Sequence, residues 1–194
     1  MKPCIWKPTP IRLEREDGFV LESAGKEEAQ LYLDGFHQID LEAMKLTASG
    51  PGMEDHVVLE AYQRFCEDPD RLFLVLKDPT GKIVGEAVIN DLDREKSEAN
   101  FRIALFTAET RGKGLGSWIL QVICSQAFEG MRLERLTLDV LQTNPRARHV
   151  YEKAGFVWDS SCEEEIINQN GEKETAVFDF MVLDADAWKA RIMK

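Results

Sequence analysis

The sequence predicts an α/β fold in which helices flank a mixed, mostly antiparallel central sheet. Short β-rich runs recur along the chain, two pairs of them are joined by tight turns, and two helix patterns each follow directly on a strand. The resulting order is one strand, two helices, a three-strand meander, a helix, a strand, a helix and a final hairpin. Because the chain has 194 residues, we expect a single domain over residues 1–194.

The first half of the chain alternates strands with a helical segment. Its strands are predicted at residues 11–14, 72–76, 83–89 and 101–106. Two helices are predicted at residues 26–46 and 54–66, because Ser-Gly-Pro-Gly at 49–52 interrupts the helical pattern. Asp-Pro-Thr-Gly at 78–81 is typical of a turn, so the second and third strands form a hairpin. A polar connection at 91–98 leads into the fourth strand.

The second half contributes two helices and three strands. The helix-like residues 117–124 precede a strand predicted at 133–140. Asn144 is a favourable N-cap, Pro145 fits the first helical position, and Gly155 is suited to end that helix. The last two strands, predicted at residues 157–167 and 176–183, are joined by Asn-Gln-Asn-Gly at 168–171.

The composition limits the kinds of partner that the protein can have. A net charge of −11 argues against nucleic acid, which requires a basic face, and favours cationic acceptors or simply keeps the protein in solution. No stretch is long and apolar enough for a membrane span, and the N-terminus has no apolar signal core. Cys4, Cys66, Cys124 and Cys162 lie far apart in the sequence and are expected to be free thiols. We therefore expect a cytoplasmic protein with neither nucleic-acid nor membrane partners.

The six residues 111–116, Arg-Gly-Lys-Gly-Leu-Gly, lie between a predicted strand and a predicted helix. Glycines there let the backbone approach a ligand closely, and the helix that follows offers unpaired N–H groups and the positive end of its dipole. Arg111 and Lys113 are expected to add positive side chains. This combination predicts a binding site for a pyrophosphate, although an ordinary tight turn would also explain the glycines.

Two motifs in this order resemble the GNAT superfamily of acetyl-CoA-dependent N-acyltransferases. The first is Arg-x-x-Gly-x-Gly at 111–116, and the second is Asn-x-x-Ala-x-x-x-Tyr-x-Lys-x-Gly-Phe at 144–156. Within the superfamily, the chain resembles the branch that holds ribosomal-protein N-terminal acetyltransferases and spermidine acetyltransferases. The resemblance covers a core of about residues 11–183. It implies a sheet that splays between the strand before and the strand after the cofactor helix.

The resemblance also implies acetyl-CoA as a co-substrate and no metal. The exposed edge of the strand before the cradle would pair with the pantetheine arm, and Asn144 would bond that arm, although its N-cap role explains it without a ligand. The implied cofactor-binding residues are Ala104, Leu105, Phe106, Arg111, Gly112, Lys113, Gly114, Leu115, Gly116, Ser117 and Asn144.

Three residues are candidates for catalysis. In the family the residue at Tyr151 gives a proton to the departing thiolate. Asp139 matches the position where N-terminal acetyltransferases of the superfamily place a glutamate, and Glu86 on the meander is the second candidate for a general base. Asp139 and Glu86 could equally be solvated strand residues, whereas the less favoured alternative for Tyr151 is a core residue on an amphipathic helix. His37, His56 and His149 lack the spacing of a metal site.

The acceptor is expected to be a primary amine, with a peptide or protein N-terminus favoured. An N-terminal amine with a pKa of about 8 is easier to deprotonate than a side-chain amine with a pKa of about 10.4. The alternatives are a polyamine or another small amine, or a non-catalytic acyl-CoA-binding module. The acidic residues 163–165 could attract a polyamine, but a charge run is more often a solvated face. A dinucleotide-binding enzyme is disfavoured because Ser117 stands where that fingerprint needs glycine. The protein is expected to be a monomer or a homodimer.

Overall fold

The computed structural model describes residues 10–50 and 52–192, so Cys4 and Pro51 lie outside the described residues. Within these ranges eight strands form one sheet in the order β1-β2-β3-β4-β5-β6-β8-β7. The strands are β1 (Arg12–Glu14), β2 (Val20–Ser23), β3 (Leu72–Lys77), β4 (Ile83–Asp93), β5 (Glu98–Leu105), β6 (Arg135–Leu141), β7 (Val157–Ile167) and β8 (Lys173–Asp184). The α-helices are α1 (Ala29–Phe36), α2 (Leu41–Leu46), α3 (Asp55–Glu67), α4 (Leu115–Ser125), α5 (Pro145–Ala154) and α6 (Ala185–Ile192). None of the helices in the described ranges has the length and apolar character needed to cross a membrane.

The sheet opens between its two central strands. β5 and β6 are the parallel pair of this sheet, and they pair only at Glu98–Arg135, Ala99–Leu136 and Asn100–Thr137. Beyond Asn100 the two strands diverge, while β5 stays paired with β4 as far as Leu105. The predicted fold class, including the splay between the strands before and after α4, is therefore confirmed.

The two faces of the sheet have separate hydrophobic cores. On one face, α1 and α3 bury Tyr32 and Tyr62 against Phe73, Val88 and Phe106. On the other face, α4 packs buried leucines and isoleucines against the alternate residues of β3, β4 and β5, and Tyr151 of α5 joins this second core. Burial of each side chain of this kind stabilises the fold by about 1.5–3 kcal/mol. The two cores therefore stabilise the central strands on both sides of the opening.

The helix predicted over residues 26–46 is wrong as a single element. A 3₁₀ turn at Lys26–Glu28 leads into α1, which ends at Phe36, and α2 begins only at Leu41. The carboxylate of Asp40 accepts the Ala43 N–H at 2.8 Å and caps α2, while the Asp40 N–H donates to the Phe106 carbonyl at 2.9 Å. A local capping residue and a long-range bond to the end of β5 thus break the helical pattern.

Other elements are close to their predicted bounds, with two omissions. Strand β2 and helix α6 were not predicted, and β5 begins three residues before the predicted start. The predicted start and end of α5 are confirmed: Asn144 accepts the Ala147 N–H at 3.1 Å, Pro145 opens the helix, and Gly155 closes it at φ +109°. The short Val20–Ser23 segment lacked a distinct pattern because its strand character depends on pairing with β1 and β3.

Candidate active site

The glycine loop before α4 forms an open backbone cradle. Gly112 and Gly114 have φ of +81° and +73°, a conformation that side chains oppose. Gly114 is the N-cap of α4 without a side-chain cap, and Trp118 makes the first bond back, to the Gly114 carbonyl at 3.0 Å. The N–H groups of the first turn therefore have no acceptor within the helix. A Cβ added at Gly114 or Gly116 would meet nothing within 4 Å, so the space beside this turn is open to a ligand.

The side chain of Arg111 does not add a free positive charge to this cradle, contrary to the expectation above. Its guanidinium donates to Asp40 at 2.6 Å and to Glu42 at 2.9 Å, and it is only 9% exposed. It also lies 3.4 Å from the Leu105 carbonyl. Arg111 thus fastens the cradle to α2, and its place in the cofactor site stays a prediction.

Two other cations lie at the cradle. The Lys113 ammonium is 5.6 Å from the centre of the Phe19 ring and makes no ion pair with another described residue. A guanidinium nitrogen of Arg146 is 3.4 Å from the place where a Cβ on Gly112 would stand, and it too has no bonded partner in the described ranges. Sequence reasoning missed Arg146. The signal was its position in the first turn of α5, where the helix dipole disfavours a cation unless an anion binds there.

The backbone groups of β5 that face the opening are shifted by one residue from two of the three predicted positions, Ala104 and Phe106. The Phe106 N–H donates to the Val84 carbonyl at 3.0 Å, so the backbone of Phe106 points toward β4. Because backbone groups alternate along a strand, Ala104 also points toward β4, while the N–H and C=O groups of Ile103 and Leu105 point away from it. The Leu105 carbonyl accepts from Arg111. Ile103 and the N–H of Leu105 are therefore the backbone groups of this strand segment that are open to a ligand.

Asn144 has partners for both ends of its side-chain amide. Its oxygen caps α5, and its nitrogen donates to the Leu46 carbonyl at the end of α2, at 3.4 Å. These bonds explain the presence of an asparagine here without any ligand, as its N-cap position indicated. They also link α2 to the start of α5, at the end of the opening.

Tyr151 projects from α5 into the core below the opening. It is 9% exposed and lies edge-on to Phe101, with ring centres 6.4 Å apart. Its hydroxyl makes no hydrogen bond with another described residue. Burial raises the pKa of the Tyr151 hydroxyl, and the negative charge of Asp139 raises it further. The hydroxyl is therefore protonated at neutral pH and has its proton available.

The two candidate bases lie on the same face of the sheet, in different surroundings. Glu86 is directly opposite Ala104 of β5, and its Oε2 accepts the Tyr32 hydroxyl at 2.6 Å. Burial raises the pKa of Glu86, against the lowering effects of Tyr32, Arg102 and Arg71. Asp139 lies on β6, is exposed, and is 3.5 Å from the Asn100 amide at the point where the strands diverge.

The acidic run at 163–165 is divided between the faces of β7. Cys162 pairs with Phe178 and Asp139 with Phe180, so alternate residues from Cys162 share the face of Asp139. Glu164, whose Oε1 accepts from the Cys162 thiol at 3.4 Å, is on this face. Glu165 points to the other face and pairs with Lys173 at 2.6 Å. No set of three or more histidine, cysteine, aspartate or glutamate side chains among the described residues is arranged to hold a metal ion.

The model of the acetyltransferase (GNAT) family matches residues 35–156. This segment is more than half of the chain and includes both motifs, so the protein belongs to the GNAT family of acetyltransferases. One curated relative is a spermidine N(1)-acetyltransferase from Vibrio cholerae, which is 26% identical over 106 residues. The matched segment is 55% of this chain and 61% of the relative, so the chain spans about three fifths of that relative's length.

Solved structures share the fold at low identity. A spermidine N-acetyltransferase from Vibrio cholerae, in complex with CoA and spermine, has a TM-score of 0.74 at 19% identity, covering 89% of this chain and 98% of its own. A GCN5-related N-acetyltransferase from Brucella melitensis has a TM-score of 0.75 at 12% identity, covering 97% and 85%. A dodecameric structure of the Vibrio cholerae spermidine enzyme has a TM-score of 0.70 at 20% identity, covering 90% and 98%. These likenesses establish the fold.

Proposed function

We propose that this protein transfers the acetyl group of acetyl-CoA directly to a primary amine in a ternary complex. The observation that carries the proposal is the opening between β5 and β6. The glycine cradle follows the open end of β5, and Tyr151 packs against Phe101 of that strand with a hydroxyl that has no hydrogen-bond partner among the described residues. Asp139 and Glu86 lie on one face of the same part of the sheet. Since every strand of the described residues joins the same sheet, the proposal treats residues 1–194 as one N-acetyltransferase domain.

In this proposal the backbone of residues 112–117 holds the pyrophosphate of acetyl-CoA, and Lys113 and Arg146 supply positive charge. The exposed backbone of Ile103 and the N–H of Leu105 pair with the pantetheine arm, and Asn144 lies at the same opening. When bound, acetyl-CoA supplies an activated thioester. Holding the thioester and the amine together in the opening supplies much of the rate, because a reaction between two molecules becomes one within a single complex.

Glu86 is proposed as the general base. Its half-buried carboxylate has a raised pKa, which makes it a better acceptor for an ammonium proton than a fully solvated carboxylate. Asp139 is exposed, so its proposed role is to attract the cationic acceptor or to pass a proton through water. Tyr151 is proposed as the acid, because its raised pKa keeps the hydroxyl protonated until the thiolate departs.

We propose a polyamine as the acceptor. The face of the sheet that carries Glu86 also carries Asp139 and Glu164, and the chain has a net charge of −11. A polyamine has several positive charges spaced along an apolar chain, so separate carboxylates can bind one amine while another reaches the opening. The similarity to a spermidine N(1)-acetyltransferase supports this choice over the N-terminal amine that the sequence alone favoured.

A peptide N-terminus is the second candidate, and Arg102 favours it. This exposed arginine lies on β5 between Asn100 and Ala104, on the same face as Glu86, without a bonded partner in the described ranges. A guanidinium beside the base suits an acceptor whose amine is adjacent to a carbonyl oxygen, and it repels a second cationic group.

Thiol release from acetyl-CoA tests both proposals when it is measured with spermidine, monoamines of similar length and N-terminal peptides. Turnover with spermidine well above the monoamines supports the polyamine proposal. Preference for the peptides, together with its loss in an Arg102→Gln variant, would favour the second candidate. CoA binding without turnover on any amine would indicate a non-catalytic acyl-CoA-binding module. Light scattering with and without CoA would test the expected monomer or homodimer.

A further inference from the structure

We propose that Tyr32 is a positioning residue that holds the carboxylate of Glu86 with one oxygen free to accept the proton of the acceptor amine. This inference rests on the proposed function, in which Glu86 is the base. The inference gives α1 a role in addition to its packing against the sheet. The Tyr32 hydroxyl donates to Glu86 Oε2 at 2.6 Å, a short bond typical of a hydroxyl on a charged oxygen.

The ring of Tyr32 is fixed by its neighbours. It is 8% exposed, its centre lies 4.6 Å from that of Tyr62, and it is edge-on to Phe73 at 5.8 Å and to Phe106 at 6.3 Å. Such packing of aromatic rings at these distances restricts both rotation and displacement. The hydroxyl therefore has a defined position, and its one proton is directed at Glu86.

The carboxylate is consequently held from one side. Oε2 is occupied by Tyr32, whereas Oε1 has no hydrogen bond with another described residue. Glu86 stands opposite Ala104, in the part of β5 that has already separated from β6. A carboxylate oxygen without a protein donor, on the strand next to the open edge, is placed to receive a proton from an amine entering there.

The charged and titratable groups around Glu86 come from several elements. Arg102 of β5 and Arg71, which precedes β3, lower its pKa, and so does the hydrogen bond from Tyr32. Arg71 is itself held above the Phe65 ring at 4.1 Å and pairs with Asp68 at 3.5 Å. Tyr62 of α3 donates its own hydroxyl to the Gly25 carbonyl at 2.9 Å and does not bond Glu86. Since the Tyr32 bond stabilises the charged carboxylate, its removal raises the pKa of Glu86.

The test compares Tyr32→Phe with Tyr62→Phe, which removes a hydroxyl from the same aromatic cluster without touching Glu86. With spermidine as acceptor, we expect the acidic limb of the kcat/KM profile to move up by about one pH unit in Tyr32→Phe. At pH values below this limb, kcat/KM of the variant should be about tenfold lower than that of the wild type, and at pH values above the limb the two should be equal. The limb should not move in Tyr62→Phe. A loss in Tyr32→Phe that is equal at every pH, or no loss, would overturn the inference.

A measurement without turnover separates this inference from the proposed function. Carboxyl ¹³C NMR of glutamate-labelled protein, with the signal of Glu86 assigned from Glu86→Gln, reports the titration of Glu86 directly. A raised pKa in Tyr32→Phe supports the positioning bond even if no tested amine is acetylated. An unchanged pKa in Tyr32→Phe refutes the positioning role even if the wild-type protein acetylates spermidine.

Discussion

The cofactor cradle and the acceptor face are built in opposite ways. The cradle is a continuous segment, residues 111–116, which offers backbone N–H groups and two glycines with positive φ. On the acceptor face, side chains from α1, β4, β5 and β6 converge, and partners such as Tyr32 and Glu86 lie 54 residues apart. The cradle should therefore be most sensitive to side chains added at its glycines, whereas the face of the sheet that carries Glu86 should be most sensitive to loss of individual functional groups.

The largest effect is expected for Glu86→Gln. Loss of the base should lower kcat/KM for spermidine by about 100-fold or more, since general bases contribute about 10² to 10⁴. The matched variant is Asp139→Asn, which also removes one charge from the same face but leaves Glu86 in place. We expect it to raise KM with a smaller change in kcat. A larger kcat loss in Asp139→Asn than in Glu86→Gln would identify Asp139 as the base instead.

Tyr151→Phe should have the next largest effect. The hydroxyl makes no bond to the described protein, so its removal preserves packing against Phe101 and should leave the melting temperature nearly unchanged. Without the acid, kcat should fall by about 10- to 100-fold. Calorimetry should find acetyl-CoA affinity within about twofold of wild type, because the interaction develops mainly in the transition state. Full turnover in the variant would mean that Tyr151 only packs.

Gly116→Val tests the cradle itself. Space exists for the new side chain, and φ at this glycine is not positive, so the fold should persist. The side chain would occupy the place proposed for the pyrophosphate, and CoA should bind at least about tenfold more weakly, because N–H groups of the first turn are covered. Gly52→Val is the control, since Gly52 has equally open space far along the chain from the cradle. Equal CoA affinity in both variants would contradict the proposal that the cradle binds the pyrophosphate.

The smallest functional effect is expected for Arg111→Ala. The guanidinium is bound to Asp40 and Glu42, so its loss should lower the free energy of unfolding by about 1–2 kcal/mol. CoA affinity should change by less than about threefold at moderate salt, because this charge is already paired. Glu42→Gln, at an exposed carboxylate, should have a smaller effect on stability. A strong loss of CoA affinity in Arg111→Ala would show that the arginine turns into the cradle when the ligand binds.

Elements with local signals were predictable, and those with long-range causes were not. The start and end of α5 follow from Asn144, Pro145 and Gly155, which act within one turn of the helix end. The break between α1 and α2 needed the bond from Asp40 to Phe106, which no local pattern records. The expectation that Arg111 adds a free positive charge to the cradle was wrong for the same reason, since the partners of Arg111 lie about seventy residues earlier in the chain.

The sequence by itself determined the fold class, the position of the glycine cradle and the family. These depend on hydrophobic periodicity, on glycines that allow positive φ, and on helix ends, all of which are properties of neighbouring residues. Only the tertiary structure decided that Glu86 is half-buried and bonded to Tyr32 and that Asp139 stays exposed. It also decided that Arg146 lies at the cradle without a bonded partner among the described residues, whereas Arg111 is paired. Burial and the distance between charges set these properties, and both arise only when segments far apart in the chain pack together.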